Sequence, residues 1–362
     1  MSFERSVILD NVDRIKELDR SDMYSYLCSV GKDTLDSYKK ARNIFTFPSG
    51  IKNIVVAGMG GSGMAPTVLV SLFRDELTVP CVLSQDYNIP YFVDSNTLFI
   101  AISDSGETEE IISQYFQARE RGAKIIVIGQ GKTLMEIAKK DKTQNFKYST
   151  SVPARVSFAY MFGSTIACLE NIGVIHNDKE EGLEESKAIV NELNDKIGID
   201  VPTKDNIAKK IALLLKKRIP ILYIEPPFES LGPRFAKMFN ENSRNFAFYN
   251  RFPEIRHNEI MSWTSTSDFM PKFIPILLRD NMMKSKMEEE IEVIKKFLGS
   301  DVIEFRAVGK SKISRFYYLL HLTDMISYYE AILVNKDPSE TDELKDIKKI
   351  LRTSSILPHF SP

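Results

Sequence analysis

Between Ile51 and Ile128 the chain alternates short apolar runs with longer stretches in which apolar residues recur at helical spacing. Ile51–Ala57 predicts a strand, Met64–Phe73 a helix, Val79–Ser84 and Leu98–Ile102 strands, Glu107–Arg121 a helix and Lys124–Ile128 a strand. Val156–Asn171 predicts one more helix. Strand-length runs that are apolar on both faces, with helices between them, are the pattern of βαβ units around a buried parallel sheet. The alternation resumes after Arg218. Ile219–Ile224, Phe246–Tyr249, Lys272–Leu278 and Val302–Phe305 predict strands; Gly232–Asn242, His257–Thr266, Lys284–Leu298, Ile313–Val334 and Glu340–Leu351 predict helices. Both halves follow a βαβαβ plan, so the expected fold is α/β: two doubly wound, flavodoxin-like parallel-sheet domains with helices on both faces.

Outside that alternation the pattern is helical. Phe3–Leu18 and Met23–Tyr38 predict two N-terminal helices, ended by Phe47-Pro48-Ser49-Gly50. Residues 177–217 are charge-rich and helix-favouring, carry no strand signal before Ile219, and read as a long connection whose charges form a solvated helix face. The expected division is an N-terminal helical segment over 1–48, a first domain over 49–176, the connection over 177–217, a second domain over 218–338, and a C-terminal helix and tail over 339–362.

Composition narrows the classes without choosing among them. The 362 residues suffice for two substantial cores, and a net charge of −1 gives no reason to expect nucleic acid or an anionic membrane as a partner. Cys28, Cys81 and Cys168 have no C-x-x-C spacing and read as reduced and structural. Charges run through the first residues and no apolar run has the length of a membrane span, so the expectation is a soluble, cytoplasmic protein. The four histidines show no paired metal-ligand spacing, so no metal site is expected.

Chemistry first surfaces where strands break into turns. Ile54-Val55-Val56 runs into Gly58-Met59-Gly60-Gly61-Ser62-Gly63, and a helix follows at once. Such a turn aims backbone amides and a helix N-terminus at an anion. Its G-x-G-x-x-G spacing also fits a dinucleotide site, with Asp86 roughly placed to hold a ribose. A second loop, Ser103-Asp104-Ser105-Gly106-Glu107-Thr108, follows the strand Leu98–Ile102. One hydroxyl there would be a helix cap. Ser103, Ser105 and Thr108 around a glycine instead suit the oxygens of a compact phosphomonoester, which a dinucleotide does not require. Both loops belong at the carboxyl ends of parallel strands, where such folds bind ligands.

G-M-G-G-S-G followed by S-x-S-G-x-T resembles the sugar isomerase (SIS) domain. Asn240-Glu241-Asn242, then Pro253-Glu254-Ile255-Arg256-His257-Asn258-Glu259-Ile260, and earlier Pro153-Ala154-Arg155-Val156-Ser157-Phe158, are similar to the bifunctional phosphoglucose/phosphomannose isomerase family, from about Ile51 to Lys345. The resemblance implies a cofactor-free aldose–ketose isomerase acting on glucose 6-phosphate, and on mannose 6-phosphate as well. It assigns phosphate binding to Gly61, Ser62, Ser103, Ser105 and Thr108. It makes Glu241 the base that moves a proton between C1 and C2, Arg155 the stabiliser of the enediolate, and His257 and Lys345 the ring-opening pair. It implies a homodimer with His257 donated across the interface, and it relates a hydroxyl of the loop before Lys345, Ser339 or Thr341, to acceptance of mannose 6-phosphate.

Two departures from the family pattern stand in the phosphate loop. Asp104 and Glu107 replace an aromatic residue and an asparagine, and a carboxylate facing a phosphate would repel it. The first loop of the second half, Glu225–Gly232, lacks a glycine–serine cradle, so one phosphate site per chain is expected. The alternative readings are a sugar-phosphate sensor without catalysis and a nicotinamide-dependent oxidoreductase. Residues 1–50 are not basic or compact enough for the DNA-binding segment that a sensor of this kind carries.

Overall fold

The computed structural model describes residues 8–46, 50–264, 268–282, 286–299 and 301–353. Two parallel sheets carry the chain. The first has five strands: β1 (Asn53–Ala57), β2 (Cys81–Ser84), β3 (Thr97–Ser103), β4 (Lys124–Gly129) and β5 (Gln144–Lys147), in the order β2-β1-β3-β4-β5. The second has four: β6 (Ile219–Ile224), β7 (Phe248–Arg251), β8 (Phe273–Arg279) and β9 (Ile303–Arg306), in the order β7-β6-β8-β9. Every pairing is parallel. The strand order reverses once in each sheet, between β1 and β3 and between β6 and β8, which opens a crevice at the carboxyl ends of those strands.

Alternation along the central strands divides the core into faces. Ile54 and Val56 of β1, Leu98 and Ile100 of β3, and Leu222 and Ile224 of β6 belong to one continuous core that both sheets share. That core is filled by the helices α1 (Val12–Leu18), α2 (Met23–Ala41), α3 (Met64–Leu72), α6 (Phe158–Asn171), α7 (Lys179–Ile197), α8 (Ile207–Leu215), α9 (Leu231–Asn242) and α12 (Lys312–Leu333). The opposite face of the first sheet, with Val55, Phe99 and Val127, is covered by α4 (Glu109–Glu120) and α5 (Lys132–Lys140). The opposite face of the second sheet, with Tyr223 and Leu277, is covered by α11 (Lys286–Lys295) and by Phe252 and Ile255. The doubly wound plan with helices on both faces is therefore as the sequence predicts.

Several elements differ from expectation. Neither α5 nor β5 has an apolar run to announce it; β5 reads Gln-Asn-Phe-Lys and buries only Phe146. The charged connection is not peripheral, because Leu183, Ile189, Val190, Leu193 and Ile197 of α7 are buried and α7 packs on both α2 and α12. The helix predicted over His257–Thr266 is replaced by a 3-10 turn, Glu254–His257, and a four-residue helix α10, Ile260–Trp263. Ile255 alone is buried in the turn, and in α10 only Ile260 and Trp263 pack, partly buried, on the core, which is too little to extend either one into a longer helix. The strand expected at Phe246–Tyr249 lies two residues later. The last helix, α13, spans Asp342–Thr353. The start of the first predicted helix (residues 1–7), the Phe47-Pro48-Ser49 break, Thr266, Lys284 and the tail after Thr353 lie outside the described residues.

Candidate active site

At the crevice of the first sheet the two predicted loops meet. Ser62, buried in the turn between β1 and α3, accepts a hydrogen bond from the Asp104 amide at 3.0 Å, which ties the glycine-rich turn to the loop after β3. In that second loop the Ser103 and Thr108 hydroxyls lie 3.1 Å apart, and those of Ser105 and Thr108 3.3 Å apart. The Ser103 hydroxyl also accepts from the Gly106 amide and the Ser105 hydroxyl from the Glu107 amide. The three hydroxyls form one cluster at the head of α4. Gly106 makes this possible: its φ is +65°, and a Cβ there would lie 1.9 Å from the Gly131 carbonyl oxygen.

The acidic neighbours are drawn elsewhere. Asp104 accepts hydrogen bonds from the Tyr148 hydroxyl at 2.7 Å and the Gln130 amide at 3.1 Å. Glu107 accepts from the amide and hydroxyl of Thr133 at the start of α5. Each carboxylate thus has a structural partner toward β4, β5 and α5, and the repulsion feared from the sequence is not built into the loop.

Arg155 joins this cradle to the second domain. A Cβ on Gly61 would lie 2.5 Å from the Arg155 amide nitrogen, so only glycine lets the turn rest on the Ala154–Arg155 backbone. The Arg155 guanidinium is 2% exposed and reaches three acceptors: Glu241 at 2.8 Å, Asn242 at 3.0 Å and the Pro338 carbonyl at 2.6 Å. Burial draws its pKa down while the Glu241 carboxylate pulls the other way. Glu241 keeps a quarter of its side chain exposed, so one end of this pair stays open to a ligand.

Helix α9 presents these groups along one face, because residues three and four apart share a face. Arg234 donates to the Arg155 carbonyl at 3.1 Å and forms a buried ion pair with Asp324 of α12. Lys237 donates to the Gly60 carbonyl at 2.9 Å. Glu241 closes the row. Asn242 donates to Ser327 of α12, which fixes the end of the helix from behind. Arg244 donates to the carbonyls of Glu241 and Glu340 and pairs with Glu343, holding the loop before α13 against the same end. In that loop Ser339 is buried, and among the described residues its hydroxyl has no hydrogen-bond partner.

The predicted residues therefore fall into two groups. Gly61, Ser62, Ser103, Ser105, Thr108, Arg155 and Glu241 lie in one linked arrangement. His257 and Lys345 do not join it. His257 ends the exposed 3-10 turn and accepts from Arg256 at 3.2 Å, and Lys345 is exposed and paired with Asp342 at 2.7 Å. Among the described residues no hydrogen bond or ion pair links either to Glu241, Arg155 or the serine loop. Asn242, Arg234 and Lys237 were not singled out from the sequence as site residues. For Arg234 and Lys237 the available signal was their helical spacing from Glu241; for Asn242 it was its place next to Glu241.

Comparison with known proteins bears on the same segments. Residues 49–145 match the SIS domain, and residues 204–351 match the bacterial phospho-glucose isomerase C-terminal SIS domain. A bifunctional phosphoglucose/phosphomannose isomerase of Caldicellulosiruptor bescii is 31% identical over 335 residues, 91% of this chain and 98% of that protein. One of Thermoplasma acidophilum is 32% identical over 82% of this chain and 89% of its own. A D-glucosamine-6-phosphate 4-epimerase of Sulfolobus acidocaldarius is 30% identical over 66% of this chain and 74% of its own. Among solved structures, a hypothetical protein from Thermus thermophilus shares the fold with a TM-score of 0.76 at 15% identity, covering 98% of this chain and 96% of that one.

Proposed function

This chain belongs to the bifunctional phosphoglucose/phosphomannose isomerase family, and from that premise we propose that it interconverts glucose 6-phosphate, and mannose 6-phosphate too, with fructose 6-phosphate. Ser62, Ser103, Ser105, Thr108 and the Gly61 amide hold the phosphate. His257 and Lys345 open the pyranose by passing the C1 hydroxyl proton to the ring oxygen. Glu241 then takes the proton from C2 and returns it to C1, while the hydroxyl proton moves from O2 to O1, so the reaction is proton-neutral. Arg155 steadies the negative charge that gathers on the two oxygens of the enediolate.

The observation that carries the reading is the 2.8 Å contact between Glu241 and a buried guanidinium whose own backbone supports the phosphate turn. A carboxylate held by one edge and open at the other can face C1 and C2 of a sugar whose phosphate lies in the cradle. The exposure of His257 supports its donation to the site of a second copy. Met261, four residues on, is 73% exposed, so the segment that carries His257 presents an apolar side chain at the surface as well.

The test is Glu241→Gln in a coupled assay for fructose 6-phosphate, with glucose 6-phosphate binding measured in parallel. Loss of a proton-transfer group costs about 100-fold or more in turnover, with binding retained. A near-wild-type rate would overturn the assignment. Product analysis by NMR, read at C2 and at C4, separates isomerisation from inversion at C4, the carbon named for the Sulfolobus relative.

A further inference from the structure

A hydroxyl-and-amide cradle binds a phosphate dianion but does not neutralise it. The buried cation nearest the chemistry, Arg155, bonds Glu241, Asn242 and the Pro338 carbonyl, and the proposed reaction gives it to the enediolate oxygens, not to the phosphate. Lys237 differs. It lies one helical turn before Glu241, its side chain is half-buried, and its ammonium rests against the glycine-rich turn at 2.9 Å from the Gly60 carbonyl and 3.5 Å from the Met64 sulfur. Both hydrogen-bond partners, a carbonyl and a thioether, are neutral, and among the described residues Lys237 forms no ion pair.

We propose that Lys237 contacts the substrate as the cation that neutralises its phosphoryl group, bridging the phosphate turn and the Glu241 end of α9. The claim rests on the sugar-phosphate reading of the site. Burial depresses the Lys237 pKa, and the negative charge of Glu241 opposes that shift; an incoming dianion would oppose it further. The competing role is a clamp, in which the lysine only holds α9 against the turn.

Three variants separate the roles: Lys237→Arg keeps the charge, Lys237→Gln keeps a donor for the Gly60 carbonyl without charge, and Lys237→Met keeps neither. Calorimetry with inorganic phosphate and with glucose 6-phosphate reads binding directly, whether or not the protein turns over. A lost charge-assisted hydrogen bond weakens binding by about 10- to 100-fold. That loss is expected in both Lys237→Gln and Lys237→Met, with KM raised to match, kcat within about threefold of wild type, and recovery in Lys237→Arg. Phosphate and glucose 6-phosphate affinities within twofold of wild type in Lys237→Gln would overturn the proposal, as would a loss confined to Lys237→Met, which is the clamp's signature. A wild type that binds both ligands but produces no fructose 6-phosphate would overturn the isomerase reading and leave the role of Lys237 to be decided by the binding data. A wild type that binds neither would overturn both.

Discussion

Asp324→Asn is the sharpest probe of how the two domains are held in register. Asp324 and Arg234 are 1% and 2% exposed, with guanidinium–carboxylate contacts at 2.5 and 3.1 Å. Arg234 also donates to the Arg155 carbonyl and lies 4.9 Å from the Phe158 ring centroid, so the pair ties α12 to α9 and α9 to the start of α6. An asparagine still accepts one hydrogen bond but carries no charge. It leaves Arg234 buried beside a second buried guanidinium, that of Arg155, whose pKa Arg234 already helps to depress. Removing one partner of a buried pair costs about 3–5 kcal/mol. For a chain of 362 residues unfolding in one transition, the unfolding entropy is roughly 0.76 kcal/mol/K, which makes the expected loss about 4–7 °C in Tm. Urea unfolding checks the free energy and calorimetry the Tm. The double variant Arg234→Met, Asp324→Leu removes both charges and is expected to recover more than half of the loss. A loss below about 1 kcal/mol in Asp324→Asn, or a double variant no better than the single one, would refute the reasoning.

The remaining predictions concern pH and assembly. Burial raises the Glu330 carboxyl from its ordinary 4.5 to about 7, against the opposing hydrogen bonds from Ser243 and Asn245. A raised folded-state pKa means that the group's stabilising contribution is complete below pH 4.5 and is lost as pH rises to 7. Glu330→Gln therefore gains stability relative to wild type between pH 4.5 and pH 7.5, by about 3 kcal/mol at most, read from unfolding curves at the two pH values; a pH-independent difference would refute it. Mixing Glu241→Gln with His257→Ala subunits tests the shared site: if each site takes Glu241 from one copy and His257 from the other, each mixed dimer keeps one intact site, and a random equimolar population regains about a quarter of wild-type activity. No recovery in verified mixed dimers would place both residues in one chain's site.

The sheets were legible because their central strands are apolar on both faces, β1 and β3 running into glycine- and serine-rich turns. What escaped was set by packing. The strand β5 contributes a single buried side chain, Phe146, so its sequence carries no periodic signal. In α7 the abundant glutamates hide a stripe from Leu183 to Ile197 that the helix buries against α2 and α12. The 254–263 segment carries polar residues suited to a helix start, but only Ile255, Ile260 and Trp263 pack on the core, too few to sustain a long helix. At the site, the serine loop was readable from its hydroxyl spacing, whereas the contact from Arg155 to Glu241 joins positions 86 residues apart and depends on how two sheets are stacked. The motif resemblance singled out those two residues; their pairing appeared only in the folded chain.

That stacking gives α9 its importance. Its Arg234, Lys237 and Glu241 lie on one face and touch, in turn, the Arg155 backbone, the Gly60 carbonyl and the Arg155 guanidinium. On the proposed reading, the first sheet alone would offer a phosphate cradle without a base, and the second alone a helix carrying a carboxylate without a ligand. The glycines of the first turn accordingly serve two surfaces: at Gly61 the missing side chain makes room for the Arg155 backbone, not only for an anion. The second sheet's own crevice is closed to the same use, because Glu225 and Arg279 form a buried ion pair there and Glu225 also accepts from the Asp280 amide. Two crevices of like topology thus diverge by charge. One presents hydroxyls and open amides beneath a helix bearing cations, and the other has filled its opening with carboxylates that would repel a phosphate.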